Sequence, residues 1–345
     1  MRSPDPPRPG ALVTGCCALV SGATGFLGGR LATALHERGY RVRALARRTS
    51  DVRALAGQGI EIVEGDVADA ASLARAAQGM QVVFHTAGKV ADWGHPKDFR
   101  RANVVGTSRV IAACVEAGVS RLVHVSSLSV LGLTRSGGTV TEEHPRAASD
   151  PDPYTRSKIE GEMLACAAHG AGGLETTVVR PGVIWGKGDV TIVPRFVSLL
   201  AKGRMVWVGG GCNRIALSHV DNLSDALIRA AEAPEAAGRI YHVSDDEEIT
   251  AREAILAIAR AAGLPPPKRS VPFPVVHAVA AMLEAAFRLA GSESPPPITR
   301  FGARLVACDA RFDIGRARQE LGYHPRVKFL DEVGSLGLSG AEAPR

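Results

Sequence analysis

One glycine spacing constrains this chain more than any other feature. Residues 17–22, CALVSG, are apolar and small, with the length of a buried strand. Gly22-Ala23-Thr24-Gly25-Phe26-Leu27-Gly28 follows at once, and residues 25–39 then carry helical spacing that stops at Gly39. A strand, a G-x-x-G-x-x-G turn and a helix place backbone N–H groups at a helix N-terminus. The glycines permit the tight turn and let a pyrophosphate come close to the main chain. Gly22, Thr24, Gly25, Phe26, Leu27 and Gly28 are therefore candidates for contact with a dinucleotide.

The rhythm continues downstream. YRVRALAR (40–47), IEIVEGD (60–66), VVFHTAG (82–88), RLVHVSS (121–127) and TTVVRPG (176–182) read as strands. Helical spacing over 51–57, 69–78, 98–118 and 153–169 separates them. Apolar strands alternating with helices predict an α/β fold with a doubly wound parallel (Rossmann) sheet covered on both faces. After Trp185 the pattern changes: a helix over 191–203, a glycine turn in 207–214, and one more strand at 239–245. Two PPP runs, 265–267 and 295–297, bracket an apolar helix. We expect a mobile tail at 1–16 and a nucleotide-binding domain at 17–185 with a returning strand near 215–245. A smaller mixed substrate lobe is expected from 186–214 and 246–335, with a second tail at 336–345.

Composition removes other classes. With 345 residues, 46% of them hydrophobic, the chain can bury a real core. Its net charge of +6 is spread without a Lys/Arg run, which argues against a nucleic-acid partner. Six cysteines form no C-x-x-C pair and no Cys/His cluster, so no metal site is expected and a reducing, cytoplasmic setting is. The apolar run 11–20 reads as a strand entry, not a targeting segment. The stretch 271–290 is interrupted by Pro272, Pro274, His277, Glu284 and Arg288. A spanning helix needs about 20 mostly apolar residues, so no transmembrane segment is expected and this one reads as a buried or lid helix.

Strand ends supply more candidates. An NAD-preferring fold places an acid near the end of its second strand, to bind the ribose hydroxyl. Here Ala44-Leu45-Ala46 runs into Arg47-Arg48, and a guanidinium suits a 2′-phosphate. NADP(H) is favoured, with Arg47 as the phosphate grip, and NAD(H) stays open. Asp66 and Val67 close the third strand; Ala87 and Gly88 close the fourth. Tyr154 and Lys158 form Y-x-x-x-K and share a helix face. Ser126 and Ser127 end a strand upstream. A serine to hold a carbonyl oxygen, a tyrosine to protonate it and a lysine to stabilise phenolate make a carbonyl-reduction set.

GATGFLG, GDV, HTAG, NVVGT (103–107), HVSS, YTRSK and RPGVIWG (180–186) resemble the extended short-chain dehydrogenases/reductases over roughly 17–335. That resemblance implies a nicotinamide cofactor and a catalytic triad of Ser127, Tyr154 and Lys158. Leu131 stands where the family usually has a tyrosine. It also implies cofactor contacts from Tyr154, Lys158, Pro181 and Val183, and a homodimer through helices 103–118 and 153–169. HTAGKVADWGHPKDFRRANVVGT and RPGVIWGKGD are similar to the 3β-hydroxysteroid dehydrogenase-like branch, which includes 2-alkyl-3-oxoalkanoate reductases. The implied substrate is a small hydrophobic ketone or secondary alcohol. Nucleotide-sugar epimerases and dehydratases are the alternative. They usually carry Arg-x-Phe-Asn where this chain has Arg180-Pro181-Gly182-Val183, and so lack a counterpart here for their diphosphate-binding Asn. A non-enzymatic NADP sensor tends to lose the Tyr or the Lys, and both are present. We expect an apolar pocket in the second lobe, with the 275–290 helix as wall or lid.

Overall fold

Seven short segments pair as one parallel sheet: β1 (Cys17–Ser21), β2 (Arg41–Ala46), β3 (Glu61–Glu64), β4 (Val82–His85), β5 (Arg121–Val125), β6 (Glu175–Pro181) and β7 (Ile240–Val243). The order is β7-β6-β5-β4-β1-β2-β3, and every pairing is parallel. This computed structural model describes residues 15–133, 138–309 and 311–338, so most of the two expected tails lies outside the described residues.

Strand alternation sorts the core onto two faces. On one face Val20, Phe84, Val123, Val179 and Tyr241 pack against α1 (Phe26–Glu37) and α6 (Val220–Glu232). Leu27, Leu31 and Leu35 form the buried stripe of α1, and a fully buried leucine stabilises by about 1.5–3 kcal/mol. Ile314, Ala317, Leu321 and Tyr323 return from near the C-terminus to this same face. On the other face Leu19, Leu45, Val83 and Leu122 meet α2 (Ala70–Ala77) and α3 (Gly106–Glu116). The order reverses at β1, between β2 and β4, which opens a crevice beyond the strands' C-terminal ends.

A second core gathers Trp185, Trp207, Leu217, Ile249 and Phe329 with α5 (Ile192–Ala201) and α7 (Ala251–Ala261). Trp185 belongs to this core: its Nε1 donates to Asp245 Oδ2 at 2.6 Å, and the His219 and Phe329 rings meet it edge-on. Asp245 also accepts from the His219 amide and Asn222 Nδ2. Burial pushes its carboxyl up to about 6.

Two elements differ from the sequence expectation. The helix expected over 98–118 is broken into Pro96–Arg100, a π-helical turn Arg101–Val105, and α3. The apolar helix, α8 (Phe273–Leu289), is neither buried nor a lid over an apolar pocket. It buries only Val276, Ala280 and Glu284, one stripe at helical spacing. Val275, Val279, Met282 (66% exposed) and Leu289 (91%) face outward. No helix among the described residues is long and apolar enough to cross a membrane.

Candidate active site

The glycine turn is closed by its own backbone. Gly22 has φ +75°, and a Cβ there would lie 2.8 Å from the Ala87 main chain. A Cβ on Gly28 would lie 2.1 Å from the Gly22 carbonyl oxygen. Any side chain at either position would force apart β1, α1 and the β4 end. No side chain caps α1 at Gly25, so its first-turn amides face the crevice. These features fit a dinucleotide phosphate. Thr24 is exposed at the turn, Leu27 is buried beneath it, and Phe26 lies under the loop that carries Gly188, whose Cβ would sit 3.7 Å from the ring.

The other candidates stand at or just past the C-terminal ends of the sheet strands, except Val183. Arg47 and Arg48 are exposed just past β2, and neither forms an ion pair among the described residues. Asp66 has one carboxylate oxygen engaged by the Ala68 amide at 2.8 Å. Val67 packs on Gly106, where a Cβ would come within 3.0 Å. Ala87 and Gly88 follow β4, with Gly88 against the Asn103 side chain. Pro181 ends β6, and Val183 lines an apolar cavity in the second lobe.

The two adjacent serines separate cleanly. The Ser126 amide donates to Val179 O at 2.7 Å, which extends β5, and its hydroxyl donates to Glu162 Oε2 at 2.6 Å. Ser127 leaves the strand and caps a short 3₁₀ turn, accepting from the Ser129 amide. Its hydroxyl is the one that reaches Tyr154.

Tyr154 and Lys158 lie in α4 (Pro153–Ala167), which Asp152 caps by accepting from the Thr155 amide at 2.9 Å. The Tyr154 ring is held edge-on by Phe301 at 5.7 Å and Phe99 at 6.5 Å. Burial pushes the phenol up to about 12, opposed by the Ser127 hydrogen bond. Lys158 Nζ donates to Val125 O at 2.6 Å. Burial lowers its ammonium to about 8, against the attraction of Glu162 one turn on. The sequence predicts that Lys158 lowers the tyrosine; in the structure the influence that lowers it is the Ser127 hydrogen bond, and burial outweighs that bond. Beneath lie two fully buried imidazoles, His85 and His124, with ring centroids 5.3 Å apart. Burial, reinforced by the Lys158 charge, lowers both, so they stay neutral and do not compete for protons.

Two supports went unmarked in the sequence reading. Asn103, in the π-helical turn, accepts from the Lys89 amide at 2.7 Å and donates to Lys89 O and to Ser157 Oγ. Ser157 Oγ in turn donates to Tyr154 O at 2.7 Å. The loop after Gly88 is thereby tied to the turn of α4 that carries the tyrosine. Gly161 permits this closeness, since a Cβ there would lie 2.5 Å from Asn103 O. Glu162, wholly buried, accepts from Ser126, Arg146 and Arg180. The available signal was Glu162 itself, a carboxylate four residues beyond a helical lysine, on the same face.

Two pockets lie outside this constellation, and none of Ser127, Tyr154 and Lys158 lines either of them. One, open to solvent, adjoins the Tyr154 ring through Phe99 and Phe301 and is rich in charge: Asp92, Asp152, Glu284, Arg288, Arg300 and Arg304. The other is wholly apolar, with Val183, Ile192, Phe196, Leu217 and Leu305 among its walls. The helix α8 walls the charged cavity and not the apolar one, through the buried Glu284, the half-buried His277 and the exposed Arg288. Trp93 lines the charged cavity too.

Comparison with known proteins agrees with this geometry. Residues 18–244 match the model of the NAD dependent epimerase/dehydratase family. A 2-alkyl-3-oxoalkanoate reductase of Stenotrophomonas maltophilia is 34% identical over 94% of this chain and 99% of its own. A 3 beta-hydroxysteroid dehydrogenase/Delta 5-->4-isomerase of Mycobacterium tuberculosis is 33% identical over 89% of this chain and 85% of its own. The crystal structure of gox2253 superposes with a TM-score of 0.77, at 30% identity, over 92% of this chain and 96% of the other. The chain belongs to the NAD dependent epimerase/dehydratase family, the extended short-chain dehydrogenases/reductases, and is an enzyme with oxidoreductase chemistry at a CH–OH or keto carbon.

Proposed function

We propose that this family member is an NADP(H)-dependent reductase of an apolar ketone, such as a 2-alkyl-3-oxoalkanoate or a sterol, or the dehydrogenase of the matching secondary alcohol. The observation that carries the reading is the Tyr154 hydroxyl: buried, met by Ser127 and one helical turn from Lys158. In this reading the amides of 22–28, Asp66, Val67, Ala87, Gly88, Pro181 and Val183 hold the dinucleotide, together with Tyr154 and Lys158. When bound, it supplies hydride to the keto carbon or takes it from the alcohol. Ser127 donates to the substrate oxygen and fixes its position. Tyr154 delivers the proton to that oxygen, and its phenol, held well above neutral, arrives protonated. Lys158 stabilises the phenolate left behind. The apolar lining beside Val183, with Ile192 and Phe196, suits contact with a hydrocarbon chain. A homodimer through α3 and α4 and a cytoplasmic setting complete the proposal.

NADPH consumption should be followed with a long-chain 2-alkyl-3-oxo acid and a 3-ketosteroid, and conversion of a UDP-sugar by analysis of its product, since epimerisation and dehydration return the hydride and consume no net NADPH. Saturable turnover of a hydrophobic ketone is expected. Turnover of the UDP-sugar alone would overturn the reading in favour of an epimerase or dehydratase.

The cofactor preference has its own test. Arg47→Ala should weaken NADPH binding about 10- to 100-fold, the value of one charge-assisted hydrogen bond. NADH binding should hardly change. Equal losses for both cofactors would remove Arg47 from the 2′-phosphate.

The pH dependence follows from Lys158. Its folded value is lowered to about 8, so the ammonium is charged below that pH and neutral above it. Reduction at saturating substrate should therefore decline as pH rises through about 8, with the slope of a single proton. A flat rate from pH 7 to 10 would show that the lysine charge is not required.

A further inference from the structure

We propose that the outward face of α8 docks on an anionic lipid bilayer, lying flat in its surface without crossing it. Val275, Val279, Met282, Ala286 and Leu289 follow one another at steps of four and three, so they share one side of the helix, and all are exposed. Ala278 and Ala285 fill the same side, and no polar or charged residue interrupts it. The two valines, Met282 and Leu289 are half of the large apolar side chains left exposed among the described residues. The inward stripe already has its partners. Val276 packs with Ala303 and Ala307 of α9 (Arg300–Ala307), and Glu284 accepts from Arg300. The outer face therefore looks outside the fold for an apolar neighbour.

Charge selects which neighbour. Lys202 and Arg204 precede the short strand Trp207–Val208, and Lys268 and Arg269 precede Ser270–Val271. These two strands pair in parallel, with the Trp207 amide donating to Arg269 O at 2.9 Å. Parallel pairing brings both basic segments to the same end of the ribbon. Only Ser270, Val271 and Pro272 separate the second from the first residue of α8. All four cations are exposed, and none has an ion pair among the described residues. An apolar helix face with cations at its entry matches the boundary between acyl chains and anionic headgroups.

A second copy of the chain fits less well. A helix of 17 residues is about 25 Å long and about 10 Å wide, so its outer side offers roughly 250 Å². A stable interface takes about 800 Å² from each partner. A bilayer sets no such minimum, because apolar burial and headgroup charge act on the same helix together.

The test sediments the full-length protein with vesicles of phosphatidylcholine alone, or of phosphatidylcholine and phosphatidylglycerol in equal parts. Wild type should bind the mixed vesicles, less so at high salt. Met282→Glu changes an exposed position and leaves the core intact. It should weaken binding at least about 10-fold, the worth of burying one methionine side chain. Lys268→Gln with Arg269→Gln should weaken binding to the mixed vesicles about 10- to 30-fold, the worth of two cations at a charged surface. No binding of wild type to mixed vesicles at low salt overturns the proposal. Equal binding by wild type and Met282→Glu does so too, as does equal binding of wild type to both kinds of vesicle. Sedimentation velocity supplies the last arm: a wild-type dimer that Met282→Glu turns into a monomer would mark the face as an interface between copies and overturn the bilayer assignment.

Discussion

Tyr154→Phe should fold, bind NADPH and reduce its ketone about 10²–10⁴-fold more slowly than the wild type. The ring makes the packing contacts: Phe301 and Phe99 meet it edge-on, and both contacts survive loss of the hydroxyl. What disappears is the proton donor. Burial holds the phenol at about 12, so at neutral pH it is the protonated group nearest Ser127. Ser127 keeps its bond from the Ser129 amide and can still orient a carbonyl, but no side chain of matching position can supply the proton. The loss should fall on kcat, because the proton moves only in the transition state. Single-turnover rates at saturating NADPH, with a thermal melt as control, check this. Activity within a few-fold of wild type, in a protein that melts normally, would remove Tyr154 as the acid.

The fold was more legible than the site. Period-two alternation, as in Leu19 and Val20 facing opposite cores, together with the glycine turn, is a local signal, and it predicts a doubly wound parallel sheet. Choosing between Ser126 and Ser127 is not local. The partner that claims Ser126 is Glu162, 36 residues downstream, and only the packing of α4 on β5 brings them together. The break at Asn103 is hidden for a similar reason. Its side chain is spent on the Lys89 backbone, across a loop whose length says nothing about where it returns. The helix α8 misled for a different reason. Apolar residues all round a helix normally mean burial. Here the neighbours cover only the stripe through Val276, Ala280 and Glu284, and the outward valines and Met282 stay bare. Charge in the cleft also escaped the pattern reading, because Asp92, Asp152, Arg288 and Arg300 come from four separate segments.

Glu162→Met should destabilise the folded protein by about 3–5 kcal/mol, the usual cost of stranding a buried charge. Glu162 is fully buried and Arg180 is 1% exposed. The carboxylate accepts from Arg180 Nη2 at 2.6 Å and Nε at 2.9 Å, from Arg146, and from Ser126. A methionine fills the space but offers no acceptor, so the Arg180 guanidinium keeps its charge with only weak contacts to the Glu142 carbonyl and His242. Arg146, 29% exposed, can turn toward water, which places most of the cost on Arg180. Replacing both members, Glu162→Met with Arg180→Met, should recover much of the loss, since it removes the stranded charge together with its partner. The pH dependence has a fixed sign. Burial pushes the Glu162 carboxyl up, but Arg180, Ser126 and Arg146 together outweigh it and hold the group below its ordinary value. The folded state therefore binds this proton less readily than the unfolded chain. The contribution is present above the unfolded carboxylate value and is lost as pH falls through the folded one. Denaturant midpoints of wild type and Glu162→Met should differ most at neutral pH and converge in acid. A midpoint shift that is negligible at neutral pH, or a gap that widens as pH falls, would show that this carboxylate does not hold α4 to the sheet.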